Sequence, residues 1–108
     1  MKAGDIVLVR YPFTDFSDEK LRPALVLLPE DEEGDYLLAF ITSIKLKRNN
    51  FDLLLTVTKE NGLRKDSVLR MKKIMAVHKS LILGKIGTVS IEEWNTVKFN
   101  LKVMFGLD

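Results

Sequence analysis

Short apolar runs separated by polar turns fill the first three quarters of the chain, and this pattern predicts β-strands. Four runs are rich in β-branched and aromatic residues and are bounded by Pro, Gly, Asn or Asp. They cover residues 5–11, 23–28, 36–44 and 52–58. Their apolar residues are nearly continuous, which predicts a sheet that is covered on both faces or that curls on itself. Pro23 has no backbone N–H, so we expect it at the first position of its strand or on an edge.

Turn signals lie between and after these runs. The acidic stretch PEDEEGD, residues 29–35, predicts an exposed hairpin connection, and Asn61-Gly62 predicts another turn. Residues 68–79 are expected to supply one or two more strands, and residues 84–89 a short one. The chain before Ser90 is therefore predicted to hold five or more short strands.

The last segment has a helical period. Its apolar residues recur at helical spacing and would form one face. They are Ile91, Trp94, Val97, Leu101, Met104 and Phe105. Ser90 with Glu93 forms a capping box, and Gly106 is a natural stop. The pattern predicts an α+β, mainly β fold, in which a C-terminal amphipathic helix packs against a small, strongly bent barrel.

Composition narrows the class of protein further. A chain of 108 residues with 46% apolar and 30% charged residues suits one compact domain, residues 1–108. The absence of cysteine rules out disulfides and thiolate metal sites and fits a reducing cytoplasm. Its apolar runs are shorter than the roughly 20 residues that a bilayer requires. The net charge of +2 does not by itself indicate a nucleic-acid binder, but basic residues cluster at 45–48 and 70–73.

Arg22 is the residue whose chemistry is hardest to explain by folding alone. It follows the polar loop YPFTDFSDEK, residues 11–20, and precedes the rigid Pro23 at the mouth of a strand. Thr42 and Ser43 end the neighbouring apolar run. A guanidinium and a hydroxyl at neighbouring strand ends would bracket a phosphodiester, the first binding its oxygens and the second donating to a developing oxyanion.

Two alternatives stay open on the residues alone. Arg22 is also explained as a solvated charge at a strand start. Strand alternation does not choose between the hydroxyls, because Thr42 shares a face with Phe40, whereas Ser43 shares one with Ile41. The other polar candidates are weaker: His78 has no second histidine, and the acidic run is best explained as an exposed turn. Residue chemistry thus predicts a small barrel with an anion site.

Four segments carry a family resemblance. GDIVLVRYPF, RPALVLL, AFITSI and GLRKDSVLRMKKIMAVHKSLILGKIGTVSIEEW follow one another along the chain. In this order and spacing they resemble the MazF/PemK-like toxins, the toxin halves of bacterial type II toxin–antitoxin pairs. The resemblance covers roughly residues 4–107 and implies an SH3-like barrel, the plasmid maintenance toxin-like fold.

The resemblance also implies an activity and partners. Members of this family are cytoplasmic homodimers that cut single-stranded RNA, often mRNA, at short sequence motifs, without a metal or other cofactor. The ribose 2′-hydroxyl attacks the adjacent phosphorus and leaves a cyclic phosphate and a free 5′-hydroxyl. A cognate antitoxin docks an acidic tail over the RNA groove, and the basic KLKR and RMKK stretches would attract both ligands.

Site residues follow from the matching positions. The resemblance assigns proton transfer and phosphate binding to Arg22 and transition-state stabilisation to Thr42, with Ser43 beside it. The first loop differs from the family's Gly-Ser-Glu-Gln-like run, but Ser17 and Glu19 stand in its place. The residues expected to bind RNA are Tyr11, Phe13, Ser17, Glu19, Lys20, Lys45, Lys47 and Arg48.

Two other functions compete with an endoribonuclease. A toxin of the same barrel fold would bind a protein target such as gyrase and cut nothing, acting through its C-terminal helix with a Trp near the chain end. Trp94 lies at the start of the helix and is expected to be packed, which argues against that function. A degenerate member would bind RNA without cleaving it, and the altered first loop keeps that alternative open.

Overall fold

A computed structural model shows a mostly β protein with one long helix, and it describes residues 1–11, 20–43, 46–47 and 49–107. The side chain of Tyr11 also lies outside the described part. In chain order the elements are β1 (Asp5–Tyr11), β2 (Lys20–Leu28), β3 (Asp35–Thr42), β4 (Leu53–Leu55), β5 (Ser67–His78), a short 3₁₀ turn (Lys79–Leu81), β6 (Ile82–Thr88) and α1 (Ile91–Met104).

The described strands form one antiparallel sheet in the order β4-β5-β3-β2-β1-β6. The sheet curls into a half-barrel, and the loop after β4 reaches the opposite edge. There the Thr88 N–H of β6 donates to the Glu60 carbonyl at 2.8 Å. The predicted bent barrel is confirmed, with this loop bridging the gap between the two edge strands.

Apolar side chains cover both faces of the sheet. The helix-side core combines residues such as Ile6, Leu25, Ile41 and Leu69 with Val97 of α1. The opposite-side core consists of Val7, Val9, Ala24, Val26, Tyr36, Leu38 and Val77. The nearly continuous apolar runs are thereby explained, because successive residues of one strand point to opposite faces and both faces are buried.

The C-terminal helix has the predicted bounds. Ser90 Oγ accepts from the Glu93 N–H at 3.0 Å, and Glu93 Oε1 accepts from the Ser90 N–H at 2.9 Å, which completes the capping box. Val97 is fully buried, and Trp94 packs against the helix-side core. The packed position expected for Trp94 is therefore confirmed.

Three local predictions need correction. Pro23 lies inside β2, where it is tolerated because pairing with β3 begins only at Ala24. The strand expected over residues 52–58 is only Leu53–Leu55, because the Val57 N–H donates to the Asp66 carboxylate and leaves the ladder. The strand expected at residues 84–89 begins earlier, at Ile82.

Candidate active site

Arg22 and Thr42 lie at adjoining ends of two neighbouring antiparallel strands, β2 and β3. β2 pairs with β3 in a register that joins Ala24 to Phe40 and Leu25 to Ala39. The ladder ends at the pair Ala24 and Phe40, and Arg22 and Thr42 lie two residues beyond this pair on their strands, on the face of the opposite-side core. Both residues are half-buried. The sheet thus brings together two residues that are twenty positions apart in the chain.

A cavity of about 630 Å³, here named cavity 1, opens beside this pair. Arg22 and Thr42 line it together with cations of β5. Apolar side chains complete the described lining, namely Phe40, Ile41, Ile74 and Met75. Because a hydroxyl and several cations face one open cavity, its chemistry suits an anionic, partly apolar ligand.

A second cavity of about 540 Å³, cavity 2, lies on the other side of Arg22. Ser43 and Ser67 supply hydroxyl groups to it, and Arg64 and Lys65 supply further cations. Its apolar described lining consists of Leu8, Leu21, Pro23, Ile41, Leu63 and Ile86. Arg22 and Ile41 line both cavities, so the two cavities adjoin at these residues.

The wall of cavity 2 is held by a compact loop. Asn61 is 1% exposed; its Oδ1 accepts from the Leu63 N–H at 3.0 Å, and its Nδ2 donates to the Thr56 carbonyl at 2.7 Å. Gly62 has a φ of +67° and packs so closely on β6 that a Cβ there would collide with the Ile86 carbonyl oxygen. The turn predicted at Asn61-Gly62 is confirmed, and it places the 62–67 segment beside Arg22.

The structure separates the two hydroxyls that strand alternation left equivalent. Thr42 lines cavity 1 and Ser43 lines cavity 2, because successive residues point to opposite faces of β3 and its extension. Ser43 is exposed, whereas Thr42 is half-buried. Thr42 therefore shares cavity 1 with Arg22 and the β5 cations, and Ser43 shares cavity 2 with Arg22, Arg64 and Lys65.

Only some of the residues expected to bind RNA lie in the described part of the structure. Lys20 begins β2, where it pairs with Tyr11, and Lys47 is exposed after β3; both lie outside the described lining of the two cavities. Phe13, Ser17, Glu19, Lys45 and Arg48 lie outside the described residues.

Three cations of cavity 1 were not singled out as site residues from the sequence. Arg70, Lys72 and Lys73 reach it from β5. In the sequence they belong to the basic stretch RMKK, residues 70–73, but a run of charges on a strand does not show which side chains point toward a site. Met75 is 43% exposed and lines the same cavity.

Acid–base groups are scarce in the described part of this site. Neither cavity has a carboxylate or an imidazole among its described lining residues. His78 is exposed, and its Nδ1 accepts from the Ser80 N–H at 3.1 Å, so it caps the 3₁₀ turn. Across the residues that the structure describes, no group of three or more His, Cys, Asp or Glu could hold a metal ion. The described site therefore offers charge stabilisation and hydroxyl donors.

The acidic run of the β2–β3 hairpin is an exposed turn, as expected. Asp31 Oδ1 accepts from the Glu33 and Asp35 N–H groups at 2.9 and 3.0 Å. The backbone hydrogen bond from Asp35, with those from neighbouring residues, holds the pKa of Asp31 below its ordinary value. In the described residues no helix is both long and apolar enough to cross a membrane.

Comparison with protein families assigns this chain to a class. The family model of the PemK-like, MazF-like toxin of type II toxin–antitoxin systems matches residues 2–105. The chain therefore belongs to the MazF/PemK family of toxins, as the four sequence segments predicted.

Solved structures share the fold at low sequence identity. The Mycobacterium tuberculosis toxin MazF-mt6 superposes with a TM-score of 0.77 at 19% identity, over 96% of this chain and 98% of that one. A MazE–MazF structure from Deinococcus radiodurans gives 0.77 at 21% identity, over 100% and 97%. An endoribonuclease in complex with its cognate antitoxin, from a mycobacterial species, gives 0.76 at 13% identity, over 100% and 97%. No curated protein matches the sequence significantly.

Proposed function

We propose that this toxin is a metal-independent, sequence-specific endoribonuclease that cuts single-stranded RNA, mRNA in particular, in the cytoplasm. The observation that carries the proposal is that Arg22 and Thr42, from neighbouring strands, line one cavity together with three further cations. Support comes from family membership and from the solved structure described as an endoribonuclease.

The reaction balances within the RNA itself, with solvent water carrying the proton from one oxygen to the other. The 2′-oxygen forms a bond to the adjacent phosphorus, the bond from phosphorus to the 5′-oxygen breaks, and the proton lost by the 2′-hydroxyl is balanced by one gained at the leaving oxygen. The products are a 2′,3′-cyclic phosphate and a 5′-hydroxyl. Negative charge grows on the phosphoryl oxygens as the bond forms, so donors placed there lower the barrier.

Each proposed catalytic residue has one task in this scheme. Arg22 binds the non-bridging phosphate oxygens with its planar fork of N–H groups. Because a guanidinium keeps its proton in proteins, charge stabilisation is its main contribution. Thr42 donates its hydroxyl to an oxygen on which charge develops, while Ser43, in cavity 2, contacts the nucleotide on the other side of the junction.

RNA is held on both sides of that junction. Lys72 and Lys73 in cavity 1 would bind flanking phosphates, together with Lys20, two residues before Arg22, and Lys47, five residues after Thr42. The family resemblance adds Tyr11, Phe13, Ser17, Glu19, Lys45 and Arg48. The apolar lining of cavity 2 suits an unstacked base, which is how proteins read single-stranded RNA.

We also propose that the toxin is a homodimer that a cognate antitoxin neutralises. α1 exposes Phe99 and Val103, which are four residues apart, at 64% and 51%; Ile91, which was predicted to share a face with Trp94, is also exposed, at 77%. Clustered apolar residues of this kind mark protein interfaces, which supports pairing of two copies. Two related structures are toxin–antitoxin complexes, and the cations of cavity 1 suit an acidic antitoxin segment that competes with RNA.

Cleavage of a defined RNA in EDTA tests the enzyme assignment. Purified protein should cut single-stranded RNA, and Arg22→Ala should lower the single-turnover rate at least about a hundredfold with an unchanged circular dichroism spectrum. Wild-type activity in Arg22→Ala would refute the site. Uncut RNA together with inhibited gyrase supercoiling would establish the protein-targeting alternative instead.

A further inference from the structure

β5 carries a large bulge at the wall of cavity 1. Its ladder with β3 joins Ala39 to Ile74 but then joins Ile41 to Leu69. One residue of β3, Phe40, therefore lies opposite a β5 segment of four, residues 70–73. A bulge leaves backbone groups without ladder partners and redirects side chains. This one contains the three β5 cations that line the cavity.

Asp52 supplies a partner for the backbone of this bulge. Its Oδ1 accepts from the Met71 N–H at 3.2 Å, in place of a strand carbonyl. Met71 is fully buried in the helix-side core, and Asp52 is itself 2% exposed. The hydrogen bond therefore fixes the middle of the bulge from inside the protein.

The same carboxylate holds the guanidinium of Arg70. Asp52 Oδ2 lies 3.5 Å from the Arg70 terminal nitrogen, and the two side chains are 1% and 14% exposed. An ion pair so far from solvent is screened weakly and restricts the arginine to one direction. A guanidinium has five N–H donors, and a single carboxylate cannot accept from all of them. Donors of Arg70 are therefore left for a ligand in cavity 1.

Asp52 is in turn fixed by the helix. Asn100 of α1 donates its Nδ2 to the Phe51 carbonyl at 2.9 Å, and the Phe51 N–H donates to Asn49 Oδ1 at 2.9 Å. Asp52 therefore does not depend on the RNA for its position. This rigidity is what a residue needs in order to position another residue for catalysis.

We propose that Asp52 is a positioning residue that aims Arg70 into cavity 1 as a second phosphate-binding group beside Arg22. The proposal rests on the endoribonuclease function and adds to it a buried carboxylate that acts without touching the RNA. The proposal also predicts the direction in which loss of the Asp52 charge changes the cleavage rate. Removing a negative charge near an RNA cavity would by electrostatics alone strengthen RNA binding, whereas loss of positioning slows cleavage.

A double-mutant cycle with Asp52→Asn and Arg70→Ala tests this inference, because Asn keeps an oxygen for the Met71 N–H and removes the charge. Single-turnover cleavage and the affinity for an uncleavable RNA, with a 2′-deoxy nucleotide at the cut, are measured for each variant. We expect Asp52→Asn to slow cleavage about tenfold and to have less than a twofold effect in the Arg70→Ala background. Glu92→Gln, on the exposed face of α1, removes an equal charge and should change neither quantity.

Cleavage by Asp52→Asn at the wild-type rate or faster would overturn the proposal. It would also be overturned if the fold-loss in cleavage rate of the double variant equalled the product of the fold-losses of the two single variants. If Asp52→Asn does not fold, Asp52→Glu keeps the charge and displaces the guanidinium by one methylene; unchanged cleavage in that variant would also overturn it. If wild-type protein cuts RNA but the two substitutions slow cleavage independently of each other, only the positioning role of Asp52 fails. Should wild-type protein neither cut nor bind RNA, the proposed function and this inference fail together.

Discussion

Thr42 and Ser43 are adjacent in the chain but line different cavities, which meet at Arg22. The proposed reaction therefore requires different things of them. Thr42 shares cavity 1 with Arg22 and Arg70, where the proposed reaction develops charge on the phosphoryl oxygens. Ser43 faces cavity 2, which Arg64 and Lys65 line together with six apolar side chains, and a base or sugar is the expected ligand there.

Alanine substitutions should separate these two hydroxyls. Thr42→Ala is expected to slow single-turnover cleavage about a hundredfold, because it removes a donor to the developing charge. Ser43→Ala should slow it by less than about tenfold, because it removes a contact made equally in the ground state. Thr42→Ser restores the hydroxyl and should recover most of the rate. Equal losses in the two alanine variants would contradict the division of roles.

Salt dependence should identify the cations that contact phosphates. Each lysine that binds a phosphate of a single strand contributes about 0.7 to the slope of log affinity against log salt concentration. Lys72→Ala and Lys73→Ala should each reduce that slope by about this amount with an uncleavable RNA. Lys79→Ala provides the matched control, because Lys79 is exposed and pairs with Glu30 at 3.7 Å beyond the end of β5. If the slope falls equally in all three variants, Lys72 and Lys73 are not the specific phosphate contacts of cavity 1.

Gly62 should tolerate no side chain. Gly62 and Gly106 have nearly the same φ, +67° and +66°, but a Cβ at Gly106 would meet nothing within 4 Å. Gly106→Ala should therefore lower the free energy of unfolding by about 1 kcal/mol, the cost of a left-handed residue. Gly62→Ala should lower it by about 3 kcal/mol or more, because Cβ would also collide with the Ile86 carbonyl. Urea unfolding measures both, and similar losses would show that the loop moves away freely.

The capping box of α1 should contribute measurably to stability. Ser90→Ala removes the acceptor of the Glu93 N–H and is expected to lower the free energy of unfolding by about 1 kcal/mol. Glu93→Ala removes the reciprocal bond to the Ser90 N–H. In the double variant the losses should sum to the single values, since each bond joins one side chain to backbone. A strong coupling between the substitutions would indicate that the helix end rearranges.

Asp31 should make stability depend on acid pH. Backbone hydrogen bonds lower its pKa in the folded protein below the ordinary 3.8, so the carboxylate stabilises the fold above that pH. The contribution is lost as pH falls through the lowered pKa. Asp31→Asn should therefore be less stable than wild type near neutral pH, with the difference disappearing in acid. Thermal unfolding across this range measures it, and a difference that grows in acid would have the wrong sign.

Much of the fold followed from local patterns because the forces involved are local. The Ser90 and Glu93 capping box and the 3.6-residue period fixed the helix, and the Asp31 turn was evident from its acidic, glycine-containing sequence. The extra residues of β5 were not predictable. A bulge depends on what the partner strand and Asp52 offer, and those groups lie elsewhere in the chain.

By itself the sequence determined a mainly β chain with a terminal helix, its membership in a toxin family, and Arg22 and Thr42 as candidates for an anion site. Tertiary structure decided which groups share a cavity. Pairing of β2 with β3 brought Arg22 and Thr42 to one cavity, the 62–67 loop lined the neighbouring cavity, and the buried Asp52 carboxylate met Arg70. These relations depend on the pairing of strands that are distant in the chain. The chemistry of the residues alone does not show which distant segments lie close together in space.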